Sequence, residues 1–304
     1  MKLEFSRIPR KVLEPMFASF PPHRPFPSLL GLALGTFLCI AAPSIGAAAS
    51  PGESAWVSST DSKVRLVSGT PDIDGKASLI AGVQLRMDPG WKTYWRNPGD
   101  SGVPPSFDFK GSKNLKQAVL LYPAPHRIAD ANGTAIGYDD EVVFPMKITP
   151  EHEGEPVELK LAFEYGLCKD LCIPNEVSLQ LVLSPDQGKG DAVLLENALA
   201  LVPKEAAPGL LPAVENVTAE LDAPKPKMTI DAVFPKGARA TDLFINGEET
   251  YVPVPKPDGP LADGKQRFTV SFGSAVEAAA LKSKTVTLTL VSDLGSTEMA
   301  WTAK

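Results

Sequence analysis

Apolar and polar positions alternate in several short runs along this chain. The run from Leu79 to Met87 alternates well, and Glu141–Ile148, Val157–Tyr165 and Val177–Leu183 repeat the pattern. A period of two is that of a strand with one face buried. Asp88-Pro-Gly90 and Asn97-Pro-Gly-Asp100 read as turns, because proline presets φ and glycine accepts positive φ. Short strands at this spacing predict an antiparallel β-sandwich over residues 50–188. Only Asp191 to Val202 has convincing helical composition, and Pro203-Lys-Glu-Ala-Ala-Pro-Gly209 after it reads as a linker, so 189–214 is expected to be helix and linker. A second series of strand candidates follows: Val217–Leu221, Met228–Phe234, Asp242–Ile245, Arg267–Phe272, Thr285–Val291 and Glu298–Trp301. They predict a second, smaller β-sandwich over 215–304, without cysteine or histidine and most simply a structural or docking module. The halves share no convincing internal repeat. The fold class expected is therefore all-β.

Composition supports strands and turns, with 30 prolines and 24 glycines in 304 residues. The amino terminus adds an address. Lys2, Arg7, Arg10, Lys11 and Arg24 precede an apolar run from about Leu29 to Ala42, and Ala47-Ala-Ala49 precedes Ser50. Basic, apolar and then small is the order of a secretory signal, here residues 1–49. The apolar run is shorter than the ~20 residues that cross a bilayer. An amino-terminal anchor is the competing reading. Export, most simply to a bacterial periplasm, is the expectation.

Five basic and two acidic side chains lie in residues 1–49, so the exported part carries 25 basic and 34 acidic groups, a net −9. An acidic chain with no cluster of Lys and Arg lacks the electrostatic footprint of a nucleic-acid binder. No later stretch approaches 18 consecutive apolar residues, so the chain is expected to be soluble once the signal is removed.

Cys39 falls within the apolar run of the signal, which leaves Cys168 and Cys172 as the cysteines of the exported part. On an extended strand residues four apart lie about 13 Å apart. A disulfide needs Cα atoms within about 7 Å, so Lys169-Asp170-Leu171 must loop out. Three readings compete. A stabilising disulfide is the plain one, although so short a loop yields only about 2 kcal/mol in the chain-entropy model. A pair that cycles between dithiol and disulfide is the second, and spacing alone leaves these two level. A metal site is the third, but outside carboxylates only His126 and His152 are at hand as further ligands. No metal and no cofactor are expected.

Three stretches carry a resemblance. Trp91-Lys-Thr-Tyr-Trp-Arg-Asn-Pro-Gly-Asp-Ser-Gly-Val-Pro-Pro105 comes first, then Gly137-Tyr138 with Val143-Phe-Pro145, then Cys168-x-x-x-Cys172-Ile-Pro174. In this order they resemble the amino-terminal periplasmic domain of the DsbD thiol:disulfide interchange family, and most closely its ScsB-like branch, which is associated with copper-stress tolerance. The resemblance spans roughly residues 55–185. It implies an immunoglobulin-like sandwich whose cysteines take electrons from a membrane electron-transfer protein of the DsbD type and pass them to thioredoxin-like periplasmic proteins. Longer members continue into a membrane domain and a thioredoxin-like domain. Neither stretch is evident here, so an isolated carrier is expected.

The resemblance makes Cys168 and Cys172 the exchanging pair. It also implies a cap loop over them, whose rough counterpart is Ala129-Asp-Ala-Asn-Gly133; that loop keeps one acid, Asp130, and no aromatic. Asp130 and the run Asp139-Asp140-Glu141 are candidates for proton transfer, against the plainer reading of acidic turns in water. Tyr165, with Trp91, Tyr94 and Trp95, is a candidate for shielding the sulfurs, against the plainer reading of core aromatics. Lys169 favours a thiolate at Cys168 and Asp170 opposes it. Arg96 and Asp100 are placed to pair locally.

Overall fold

The computed structural model describes residues 52–303 apart from 74–75, 101, 131–132, 185–189, 248–249 and 260–261, and the side chains of 72–77 and 129–130. The expected export signal lies outside the described residues.

The strict alternation from Val157 onward is the clearest guide to the first half. It becomes the long hairpin that closes a run of thirteen strands: β1 (Val57–Ser59), β2 (Ser62–Gly69), β3 (Asp72–Ile73), β4 (Lys76–Ala77), β5 (Ile80–Met87), β6 (Lys92–Gly99), β7 (Ser106–Asp108), β8 (Leu115–Leu120), β9 (His126–Asp130), β10 (Gly133–Asp139), β11 (Glu141–Pro150), β12 (Val157–Cys168) and β13 (Cys172–Leu183). Two antiparallel sheets face one another. One has the order β1-β2-β5-β11-β8, the other β13-β12-β6-β10-β9, with β7 paired to β12. Leu159, Leu161 and Phe163 of β12 and Leu179 and Leu181 of β13 enter the inter-sheet core with Leu66, Leu85 and Phe144 of the facing sheet. Their alternate neighbours Lys160, Glu164, Glu176 and Gln180 stay outside.

β5 departs from the expected half-buried strand, being buried on both faces. Helix α1 (Ala192–Ala200) causes this by laying Leu195 and Ala198 over Val67, Ile80 and Val143 on the outer side of the sheet. The approach is close enough that a Cβ at Gly82 would lie 2.9 Å from Leu195 Cδ2. Asp88-Pro-Gly90 makes the turn expected of it, closed by Trp91 N–H donating to the Asp88 carbonyl at 3.0 Å. Asn97-Pro-Gly-Asp100 does not make a free turn. It ends β6 inside the sheet, where Gly99 pairs with Ala135 and Asp100 N–H donates to the Thr134 carbonyl.

The second half contains β14 (Lys204–Glu205), β15 (Ala213–Glu220), β16 (Lys227–Val233), β17 (Asp242–Gly247), β18 (Lys256–Pro257), β19 (Lys265–Ser271), β20 (Thr285–Ser292) and β21 (Gly295–Thr302). A sheet β14-β21-β20-β17 faces a sheet β15-β16-β19-β18. The fold is thus an all-β, immunoglobulin-like sandwich followed by a second, smaller one. The stretch read as a linker supplies β14, which runs parallel to β21. A short helix, α2 (Ala275–Ala279), was not expected. Its signal is Ser274-x-x-Glu277: Ser274 Oγ accepts from Glu277 N–H at 3.1 Å and caps the helix.

The two sandwiches share a core. Phe244 of β17 is fully buried within the inter-sheet cluster of the first sandwich, edge-on to Trp95 at 5.9 Å. Around it Arg127 donates to both Asp242 oxygens at 2.6 and 2.7 Å, Arg96 to Glu298 at 2.6 Å, and Asn97 Nδ2 to the Ile245 carbonyl at 2.6 Å. Truncating a fully buried aromatic costs about 3–5 kcal/mol. Phe244→Ala should therefore lower the unfolding free energy by about that amount in urea titration; a loss near zero would show that Phe244 does not join the two cores.

Candidate functional site

β12 and β13 pair in register up to their last residues, so Cys168 lies directly opposite Cys172. The two are joined as a disulfide with Cα atoms 4.1 Å apart, and Lys169-Asp170-Leu171 forms the connecting loop. Parity on β12 sets the face. Tyr165 and Leu167 belong to the inter-sheet core, whereas Cys168 lies on the outer side of the sheet in a small cluster with Tyr94, Ala135 and Ile128. Within the bond the two cysteines differ in access. Cys168 is 3% exposed, while Cys172 is exposed and follows Leu171, itself 71% exposed.

Tyr94 touches the exposed sulfur. Its ring is buried and its hydroxyl lies 3.2 Å from Cys172 Sγ. A disulfide sulfur has no proton, so the phenol is the donor. Gly102 passes against this ring, where a Cβ would fall 2.5 Å from it, and Val103 continues beside Gly166. Gly102 and Val103 thus lie beside the Tyr94 ring and Gly166. Of the stretch expected as a cap, residues 131–132 and the side chain of Asp130 lie outside the described residues; the backbone of Asp130 ends β9 opposite Gly133.

The other candidates separate. Tyr165 does not face the sulfurs: it lies in the core, its hydroxyl 2.9 Å from Ser62 Oγ on the opposite sheet, and burial raises its pKa above the usual phenol value. Trp95 is wholly within that core and Trp91 packs against its edge, so Tyr94 alone of the four aromatics meets the pair. Glu141 sits on the facing sheet, bonded to Arg86 at 2.6 Å, and Asp140 occupies the turn before it. Asp139 is on the cysteine-bearing sheet, exposed and 2.7 Å from His126 Nε2. Arg96 and Asp100 do not pair: Arg96 reaches Glu298, and Asp100 Oδ2 accepts from Thr134 N–H at 3.2 Å. Lys169 Nζ donates to the Pro89 carbonyl at 3.2 Å and ties the hairpin loop to the Asp88–Trp91 turn.

Lys92 is the residue that sequence reasoning passed over. It is 6% exposed, and it pairs across the ladder with Cys168 on one side and Asp139 on the other. The available signal was its spacing, two before Tyr94 and hence on the same face of β6. Among the described residues no group of three His, Cys, Asp or Glu is arranged to hold a metal ion.

A two-sandwich protein with a disulfide at the end of a hairpin is the class that this geometry defines. Residues 70–184 match the family model described as Thiol:disulfide interchange protein DsbD, N-terminal. The fold matches the crystal structure of the N-terminal periplasmic domain of ScsB from Proteus mirabilis, with a TM-score of 0.63 and 20% sequence identity over 83% of this chain and 98% of that one. That coverage exceeds what the first sandwich alone could supply. No curated protein matches the chain. The first sandwich is thus similar to the DsbD amino-terminal domain in sequence and in fold, as its three motifs lead one to expect.

A donor held against one sulfur favours that sulfur as a thiolate. In the reduced protein Tyr94→Phe should therefore raise the pH midpoint of Cys172 alkylation by iodoacetamide, by about half to one pH unit. An unchanged midpoint would show that the hydroxyl does not act on the sulfur.

Proposed function

We propose that this chain is a periplasmic thiol–disulfide exchange protein. It relays electrons through Cys168 and Cys172 between a membrane electron carrier of the DsbD type and thioredoxin-like periplasmic proteins. The observation that carries this reading is the unequal exposure of the two cysteines. Exchange needs one sulfur within reach of an incoming thiolate and a second held back to leave or to resolve. Cys172 has the first property and Cys168 the second.

The steps follow from that asymmetry. A thiolate of a donor dithiol attacks Cys172 Sγ, the Cys172–Cys168 bond breaks, and Cys168 leaves as a thiolate. The donor's second thiolate then attacks the mixed disulfide and frees Cys172. Two electrons have entered the pair, and the donor has become a disulfide. In the output direction Cys172 thiolate attacks a substrate disulfide, and Cys168 displaces the substrate from the mixed disulfide as a dithiol.

The competing reading is a non-catalytic binding or assembly module with a structural disulfide. The pairing of β12 with β13 weighs against it. The ladder already holds the two residues opposite one another, and so short a loop adds only about 2 kcal/mol in the chain-entropy model. Among the described residues no helix is long and apolar enough to cross a membrane.

Single-cysteine variants decide between the two. Cys168→Ser, reduced beforehand, should form a stable mixed disulfide through Cys172 with a thioredoxin-like protein that lacks its resolving cysteine and carries its attacking cysteine as a disulfide with 2-nitro-5-thiobenzoate, the nitrothiobenzoate leaving as its thiolate, and Cys172→Ser should form little. Absence of a mixed disulfide from both variants would leave the structural role.

A further inference from the structure

The row of residues running across the outer face of the cysteine-bearing sheet is Cys172, Cys168, Lys92 and Asp139, each directly opposite the next on β13, β12, β6 and β10. Directly opposed residues share a face, and their Cβ atoms lie about 4.5–5.5 Å apart. Tyr94, two positions along β6 from Lys92, clusters with Cys168, which places this parity of β6 beside the sulfurs. Lys92 is 6% exposed, so its charge acts with little screening by water.

We propose that Lys92 is the charge that stabilises the thiolate of Cys168, an inference that rests on the exchange chemistry proposed above. When the disulfide opens by attack at Cys172, the electron pair of the broken bond stays on Cys168. Cys168 is 3% exposed and clusters with Tyr94, Ala135 and Ile128. Apolar surroundings disfavour a thiolate, and a neighbouring ammonium offsets that penalty. In the return direction the same charge keeps Cys168 deprotonated as the resolving nucleophile. The arrangement divides the work: the Tyr94 hydroxyl serves Cys172, and the Lys92 ammonium serves Cys168. Other charges surround the row. Asp139 faces Lys92 from β10 and is bonded to His126, Lys169 is tied to the Pro89 carbonyl at the hairpin loop, and Asp170 lies in that loop. The side chain of Asp130, at the end of β9, is outside the described residues.

The test uses two readouts that need no physiological partner. In the reduced Cys172→Ser protein, thiolate absorbance near 240 nm gives the titration of Cys168. Lys92→Met should raise its midpoint by about one pH unit or more, and Lys92→Arg should hold it near the original value. In the chain with both cysteines, Lys92→Met should slow reduction of the disulfide by dithiothreitol on the order of tenfold, because a leaving thiol of higher pKa leaves more slowly. A third measurement needs no substitution at Lys92 and so does not depend on a variant that folds. The ¹³Cε signal of Lys92 in the labelled, reduced wild-type chain should shift with the midpoint of Cys168. Equal midpoints and rates for Lys92→Met and wild type, or a Lys92 signal blind to Cys168, would overturn the proposal. Failure to exchange with thioredoxin-like proteins would sink the relay but leave these three results as they are.

Discussion

β12 pairs with β13 without a break from Val157 opposite Leu183 to Cys168 opposite Cys172, and its last residue pairs with Lys92 of β6. The chemistry depends on this register. Strand side chains alternate between faces, so a slip of one residue would send Cys168 into the inter-sheet core and bring Leu167 out. The register is fixed by what lies below the cysteines. Leu159, Leu161, Phe163 and Tyr165 fill the core, and the aromatic rings of Phe163 and Tyr165 stack there at 4.7 Å. Burial of these side chains is the large favourable term, and the position of the sulfurs follows from it. The same alternation places Lys92 and Tyr94 beside the pair and Thr93 and Trp95 away from it.

β6 links that site to the second sandwich. Tyr94 faces the sulfur, whereas Trp95, Arg96 and Asn97 meet Phe244, Glu298 and the Ile245 carbonyl. These contacts are not those of a loosely tethered module. Arg127 and Asp242 are each largely shielded and bonded through two oxygens, a geometry that fixes orientation as well as lending energy. The second sandwich therefore braces the strand on which Lys92 and Tyr94 stand.

Much of this was legible in the sequence where one face of a strand is wet and the other dry. β12 and β13 showed it plainly, and the need for Lys169-Asp170-Leu171 to loop out followed from Cα geometry. β5 was harder to read because α1 covers Ile80 and Gly82 on its outer face, while Gln84 on the same face is buried by its bonds to Arg65 and Glu141. The end of β6 read as a turn from its Asn-Pro-Gly, and only its contacts with β10 and β17 make it strand. The cysteines announced themselves by residue type. Tyr94 was one of four aromatics, and burial alone could not distinguish it from Tyr165; the parity of two paired strands was needed. Lys92 left the weakest trace, since a lysine within a strand is ordinarily on the solvated face.

The central claim is that Cys168 and Cys172 form a switch and not a staple. Its most direct measurement is the reduction potential of the pair, by equilibration of the chain with a thioredoxin-like protein of known potential. A relay requires a value within reach of such proteins, about −180 to −270 mV. A value well below about −300 mV, with no exchange during the equilibration, would contradict the account and leave the disulfide a structural bond.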